Sequence, residues 1–308
     1  MTTEAIAQAA AVLGDCARRD VALAPFTTYR VGGPAAILVE ARDEADLTLI
    51  QRAVSSTGVD VLIIGRGSNL LVCDAGFCGL AVVLGEGFAS IRFDGLLVRA
   101  GAAASLPVLA RRSAAASLSG LEWAVGVPGS VGGAVRMNAG GHGSDISTTL
   151  RGVRMVDLAT VSPGHDVPAV ELDLQYRHSA VKRYQVVTWA EFVLRRGDRE
   201  TAERAIADIV RWRRANQPGG ANAGSVFANP PGDSAGRLIE AAGLKGTRVG
   251  SATVSPRHAN FFQVDEGGSA NDVVALMETV ASVVLEQSSV RLHPEVHLVG
   301  FPSPLSGG

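Results

Sequence analysis

The sequence predicts an α+β protein assembled from more than one part. Three observations carry this. A strand–helix–strand alternation runs over residues 36–65, period-2 apolar segments fill much of 152–194, and a Pro218–Gly219 break follows a long helical pattern, beyond which helices and strands mix again.

The N-terminal stretch MTTEAIAQAAAVLGDCARR reads as an amphipathic helix, with Glu4 where a secretory leader wants positive charge. AILVE (36–40) is expected as a strand. DEADLTLIQRAVSSTG (43–58) is expected as a helix with Asp43 as N-cap and Gly58 just past its end, and VDVLIIG (59–65) as a buried strand that completes a β–α–β unit. GLAVVL (79–84) and LLVRAGA (96–102) read as further strands. SLPVLARRSAAASLSG (105–120) reads as a helix capped by Ser105, with Pro107 in its first turn. GVRMVD (152–157), AVELDL (169–174) and YQVVTWAEFVL (184–194) alternate in strand fashion. Asp198 is placed to cap a helix over 199–218. Helices near 235–242 and 271–287 and strands near 260–264 and 295–300 complete the chain, which shows no internal repeat.

Of the 308 residues 47% are hydrophobic and 19% charged, a globular composition with enough apolar material for two or three cores. The net charge of −2 provides no basic field for nucleic acid or an anionic membrane, so any phosphate must be met locally. Cys16, Cys73 and Cys78 are odd in number and lack C-x-x-C spacing, which points to neither a disulfide framework nor a metal site. No apolar run approaches the roughly 20 residues that span a bilayer. A cytoplasmic address is expected.

Two glycine-rich stretches stand out. GVPGSVGGAVRMNAGG (126–141) keeps Val127, Val131, Val135 and Met137 among its glycines, unlike a flexible linker, and reads as a folded loop whose N–H groups face something negative. IGRGSNLLV (64–72) follows a predicted strand and offers Gly65, Gly67, Ser68 and Asn69. Neither is a Rossmann fingerprint: Leu70 stands where the third glycine belongs, the second loop has the wrong spacing, and no G-K-[ST] occurs. By these residues alone, one of the two could be a tight structural turn.

Eight stretches in order, PFTTYRVGGPA (25–35), GRGSNLLV (65–72), GLEWAVGVPGSVGGAVRMNAGG (120–141), LQYRHS (174–179), NAGSVFANP (222–230), AGRLIEAAGLKG (235–246), RHANFF (257–262) and HPEVHLVG (293–300), resemble the successive motifs of the UDP-N-acetylenolpyruvoylglucosamine reductase family. The resemblance runs nearly end to end. It implies an FAD-binding fold of the vanillyl-alcohol-oxidase (PCMH) type followed by an α+β substrate-binding domain. The divisions expected are 1–84 and 85–198 as FAD-binding subdomains and 199–294 as the substrate domain, with a C-terminal strand in 295–308 returning near the active site. It further implies NADPH-dependent, FAD-mediated reduction of UDP-N-acetylglucosamine enolpyruvate to UDP-N-acetylmuramate in peptidoglycan synthesis by a monomer. The FAD contacts it implies are Tyr29, Arg30, Gly65, Gly67, Ser68, Asn69, Leu70, Val127, Pro128, Gly129, Ser130, Gly133, Ala134, Asn138, Ala139, Gly140 and Arg237, with Tyr176, Arg177 and Asn229 on the substrate. No histidine stands in 61–72, so non-covalent FAD is expected.

The chemistry asks for particular side chains. Reducing an enol ether at its terminal carbon pushes negative charge toward the adjacent carboxylate, and Arg177 of YRHS is the candidate to grip it with paired hydrogen bonds. Glu295 of HPEV is expected beside it, protonated or sharing a proton. Ser225 of NAGSVF would deliver the proton to carbon. Taken singly, each has a plain structural reading as a turn serine, a surface ion pair or a cap; together, in three separate motifs, they point to catalysis. His142 reads as a loop residue, His258 and His293 as structural hydrogen-bonders, and Arg211, Arg213 and Arg214 as a solvated face.

The chain departs from the family pattern at Asn216 and Ala228, where basic residues are common, and at Arg66, where glycine is usual. Arg237, Lys245, Arg248 and Arg257 are the candidates to compensate. The short spacer from Ser179 to Asp198 excludes a lid-like insertion, as in the shorter, type II form. Two other readings stay open: a flavin oxidase or dehydrogenase of the same fold, and a non-catalytic UDP-sugar-binding relative.

Overall fold

The computed structural model describes residues 2–301. Its chain forms two compact units, each from non-contiguous segments. The first gathers the residues up to Arg19, Ala36–Arg66 and Cys78–Arg213; the second gathers Asp20–Ala35, Gly67–Phe77 and the chain from Arg214 onward.

In the first unit the expected helix is Glu44–Thr57, and its ends are where the sequence placed them. The Asp43 carboxylate accepts from the N–H groups of Ala45 and Asp46 at 2.9 and 3.0 Å, and Gly58, at φ +64°, donates to the Val54 carbonyl at 2.8 Å. The strands it joins are not neighbours, however. Phe77–Leu84 lies between Pro34–Ala41 and Val61–Ile64, running parallel to the latter with Val61 opposite Leu80. Its run of buried residues from Gly79 to Val82 suits a central strand covered on both faces.

A second sheet is antiparallel throughout, in the order His165–Pro168, Leu150–Asp157, Gln185–Val193, Leu97–Gly101, Ile91–Asp94. The strand expected at 169–174 is instead a 3₁₀ turn, Ala169–Leu172, closed by Asp173 at φ +43°. The alternation there is not a buried face, because Val170 is 88% exposed and only Leu172 is buried. The helix expected over 105–120 stops at Ala115, where Ser117 turns left-handed, and Ser105 caps it without a side-chain hydrogen bond. Arg199–Asn216 is helical as expected, with the Asp198 carboxylate accepting from Thr201 N–H at 2.8 Å.

The second unit packs the helices Ala235–Ala241 and Ala270–Ser288 with the antiparallel strands Arg248–Val249, Ala252–Val254 and Phe262–Val264 around a core that includes Tyr29, Phe227 and Phe262. The return strand is His297–Val299, parallel to Leu70–Val72 with His297 opposite Leu70. Residues 302–308 of the expected 295–308 segment lie outside the described residues. Among the described residues no helix is long and apolar enough to cross a membrane.

Candidate active site

In the first unit the helix Val131–Arg136 starts at Ser130, whose Oγ accepts from Gly133 N–H at 3.4 Å. It lies flat against the chain after strand Leu97–Gly101: Val131 and Gly132 donate to the carbonyls of Ala104 and Ala102, both at 2.9 Å. A Cβ on Gly132 would stand 2.8 Å from Ala102 Cβ, one on Gly140 2.6 Å from Asp145 Cβ, and one on Gly65 would overlap Ser130 Oγ. In the second unit a Cβ on Gly67 would overlap the Phe26 carbonyl oxygen. Neighbouring chain, then, already demands several of these glycines.

What the loops leave over is main-chain donors. Among the described residues nothing accepts from the N–H groups of Arg66, Gly67, Ser68 and Asn69, or from those of Gly129 and Ser130. Clusters of N–H groups without a protein acceptor are what a phosphate needs, and each loop by itself fits one. Other expected contacts are occupied by protein. Asn138 is buried at φ +38°, donating to the Gln175 carbonyl at 2.9 Å and accepting from Ser147 N–H at 3.0 Å. Ala134 and Leu70 are buried, Val127 and Ala139 half-buried and Pro128 exposed. Tyr29 is fully buried, its hydroxyl without a partner among the described residues; burial pushes its pKa up, so it stays a neutral phenol. Arg30 is exposed at φ +57°.

Arg177 sits at the tip of a tight turn in which Gln175 and His178 exchange backbone hydrogen bonds, both 3.1 Å. At φ +56° it holds a left-handed conformation costly for any residue that carries a Cβ, and its Nη2 donates to the Gly140 carbonyl at 3.0 Å. The guanidinium carbon lies 4.9 Å from the centre of the Tyr176 ring, which is 57% exposed.

Ser225 and Glu295 come together in the second unit. The segment 225–228 is clamped on one side by Asn260, which accepts from Val226 N–H at 2.9 Å through its carbonyl and bonds Phe227 at 3.0 and 2.8 Å through its side chain. On the other side Glu295 N–H donates to the Val226 carbonyl at 2.8 Å, and Ala228 N–H to that of His293 at 2.9 Å. Asn69 joins them: its side chain donates to the Glu295 carbonyl at 3.0 Å and its own carbonyl accepts from His297 N–H at 2.9 Å. Three distant motifs thus meet in one hydrogen-bonded cluster, with Asn69 bonded to Glu295 and Ser225 carried beside them through its neighbour Val226. Arg177 belongs to the first unit.

Beside this cluster is a cavity of about 360 Å³ lined by Ser225, Asn229, Arg237, Arg257, His258 and their neighbours. Asn229 Oδ1 accepts from Ala235 N–H at 3.1 Å. His258 and Asn260 were legible only as part of RHANFF; their place in the wall was not. His258 Nδ1 accepts from Asn260 N–H at 3.3 Å, which puts the ring proton on Nε2, and burial followed by the charge of Lys245 pushes its pKa down. His142 packs edge-on against Trp212 at 5.3 Å, and Arg213 is half-buried rather than solvated.

Comparison with known proteins gives a consistent picture. A family model described as "UDP-N-acetylenolpyruvoylglucosamine reductase, C-terminal domain" matches residues 216–299, and one described as "FAD binding domain" matches 35–160. A protein named UDP-N-acetylenolpyruvoylglucosamine reductase from Heliobacterium modesticaldum is 43% identical over 277 residues, 89% of this chain and 88% of the relative. One of the same name from Synechococcus sp. is 42% identical over 95% of this chain and 96% of its own length. The crystal structure of UDP-N-acetylenolpyruvylglucosamine reductase from Thermus caldophilus superposes with a TM-score of 0.80 at 35% identity, covering 92% of this chain and 99% of that one.

Proposed function

The chain belongs to the UDP-N-acetylenolpyruvoylglucosamine reductase family, and from that membership we propose how its residues divide the work. It is an FAD-dependent oxidoreductase of peptidoglycan synthesis with the FAD-binding fold expected. NADPH is the electron donor and UDP-N-acetylglucosamine enolpyruvate the acceptor, in a cytoplasmic monomer that binds neither nucleic acid nor membrane. Residues 1–84 and 85–198 serve the cofactor and 199–294 the sugar nucleotide.

The donors of 66–69 and 129–130 hold the FAD pyrophosphate, with Tyr29, Arg30, Gly65, Leu70, Val127, Pro128, Gly133, Ala134, Asn138, Ala139, Gly140 and Arg237 shaping the remainder of its site. When bound, FAD supplies a two-electron carrier between nicotinamide and enol ether. Arg177, backed by Tyr176, grips the substrate carboxylate as charge flows into it. Ser225 gives its proton to the substrate carbon that bears the ether oxygen, which stays bonded in the product, and Glu295, sharing a proton, steadies the developing enolate. Asn229 hydrogen-bonds the nucleotide end.

The observation that supports this reading best is the chain of hydrogen bonds from Asn69 to Glu295 and from Glu295 to Val226, which ties a glycine loop to one proposed proton-handling residue and to the immediate neighbour of the other. The test is direct. The purified protein should be yellow and oxidise NADPH only when the enolpyruvyl sugar is added; NADPH oxidation indifferent to that sugar would instead favour an oxidase of the same fold.

A further inference from the structure

The cavity of the second unit presents two arginines, and the basic residues around it are not equivalent. Lys245 donates to Glu240 at 2.6 Å and Arg248 pairs with Asp265; neither lines the cavity. Arg237 does line it, but its Nε and Nη2 both go to the Asp233 carboxylate, Nε at 2.6 Å, and that pairing holds Asp233 ionised with a pKa down at about 2. Glu240, the carboxylate of the cavity wall, already faces Lys245. Each of these charges is met by an opposite one.

Arg257 is different. Its Nη1 donates to the carbonyls of Arg214 and Gln217 at 3.2 and 3.3 Å, which orient the guanidinium without neutralising it. Among the described residues no carboxylate pairs with it, and no acceptor takes its Nε or Nη2. His258 next to it adds no charge at neutral pH, since burial keeps the ring neutral. A guanidinium fixed by one edge with the other edge unused is built to take a phosphate through two parallel hydrogen bonds.

We infer that Arg257 is the residue that receives the diphosphate of the UDP-sugar, oriented by the two carbonyls that flank Asn216. This rests on the function proposed above and narrows it to one side chain. The geometry favours the sugar nucleotide because Ser225, the proposed proton donor to its enolpyruvyl end, lines the same cavity. A volume of about 360 Å³ is also within the range of small-molecule sites.

The experiment is calorimetric titration of the FAD-loaded protein with UDP, uridine and NADP⁺, for the unsubstituted chain, Arg257→Gln and Arg257→Lys. Glutamine keeps a donor for one of the two carbonyls and removes the charge. Arg257→Gln should bind UDP about 10- to 100-fold more weakly while uridine affinity, flavin content and melting temperature hold. Arg257→Lys should recover part of the loss. Equal UDP affinity in Arg257→Gln, or equal losses for UDP and uridine, would overturn the assignment. So would a loss confined to NADP⁺, which would give the arginine to the other substrate. An unsubstituted chain that binds neither UDP nor uridine would remove the UDP-sugar reading itself, and this inference with it.

Discussion

Ser225 follows Gly224, whose φ of +76° is open to glycine at no steric cost, and its own backbone is paired to Phe261. The hydroxyl is therefore carried on a braced segment rather than a free turn. Proton delivery by Ser225 is needed only when the sugar is reduced, so Ser225→Ala should leave bleaching of the flavin by NADPH near normal. It should slow recolouring by the enolpyruvyl sugar by about 10²–10⁴-fold, and Ser225→Cys should recover part of that. Stopped-flow absorbance separates the two halves; equal impairment of both, or normal recolouring in Ser225→Ala, would take the serine out of the mechanism. His258 makes a second prediction. Its folded pKa lies below the ordinary 6.5, so under acid conditions the unfolded chain takes up a proton that the folded chain refuses. Stability from the neutral ring is complete above pH 6.5 and is lost as pH falls through 6.5 toward the folded value. The urea midpoint should drop over that window, and less so in His258→Gln; parallel pH profiles for the two proteins would contradict this.

At the scale of elements, glycines with the same backbone angle separate local from tertiary demand. Gly58 ends its helix at φ +64° and a Cβ there meets nothing within 4 Å, whereas Gly67, at φ +59°, would drive a Cβ into the Phe26 carbonyl. Gly58→Ala should cost about 1 kcal/mol, the left-handed penalty alone. Gly67→Ala carries that penalty plus a backbone displacement; it should cost about 1–3 kcal/mol more and lower the flavin content on purification. Denaturant midpoints and the ratio of flavin to protein absorbance measure both effects, and equal costs for the two substitutions would mean that the close approach to Phe26 relaxes freely. Strand order is likewise a tertiary matter. The helix Glu44–Thr57 was legible from its caps, while the insertion of Phe77–Leu84 between the strands it joins was not.

For the whole molecule, membership in an FAD-dependent reductase family sets the expectation that the cofactor comes and goes intact. The segment 61–72 has no histidine to form a covalent link. Acid precipitation should release the full yellow colour into the supernatant; colour retained in the pellet would show a bond that the loops alone do not predict.

The sequence by itself determined the α+β class, the helix ends at Asp43 and Gly58, the two glycine loops and, through eight ordered motifs, the family. These signals are local: a cap, a φ angle or a short motif acts over a few residues and survives being read in one dimension. Only the tertiary structure decided that 169–172 coils, that several loop glycines answer to Ser130, Phe26, Ala102 and Asp145 rather than to a ligand, and that Asn69 and Glu295 are bonded beside the segment that carries Ser225. It also decided which cation stays uncompensated. Arg237, Lys245, Arg248 and Arg257 look alike along the chain, and what distinguishes Arg257 is that its neighbours in space are carbonyls, while those of the other three are carboxylates. Arg237 and Lys245 find their carboxylates within five residues, but the partners of Arg248 and Arg257 lie 17 to 43 residues away, a separation at which no local propensity acts.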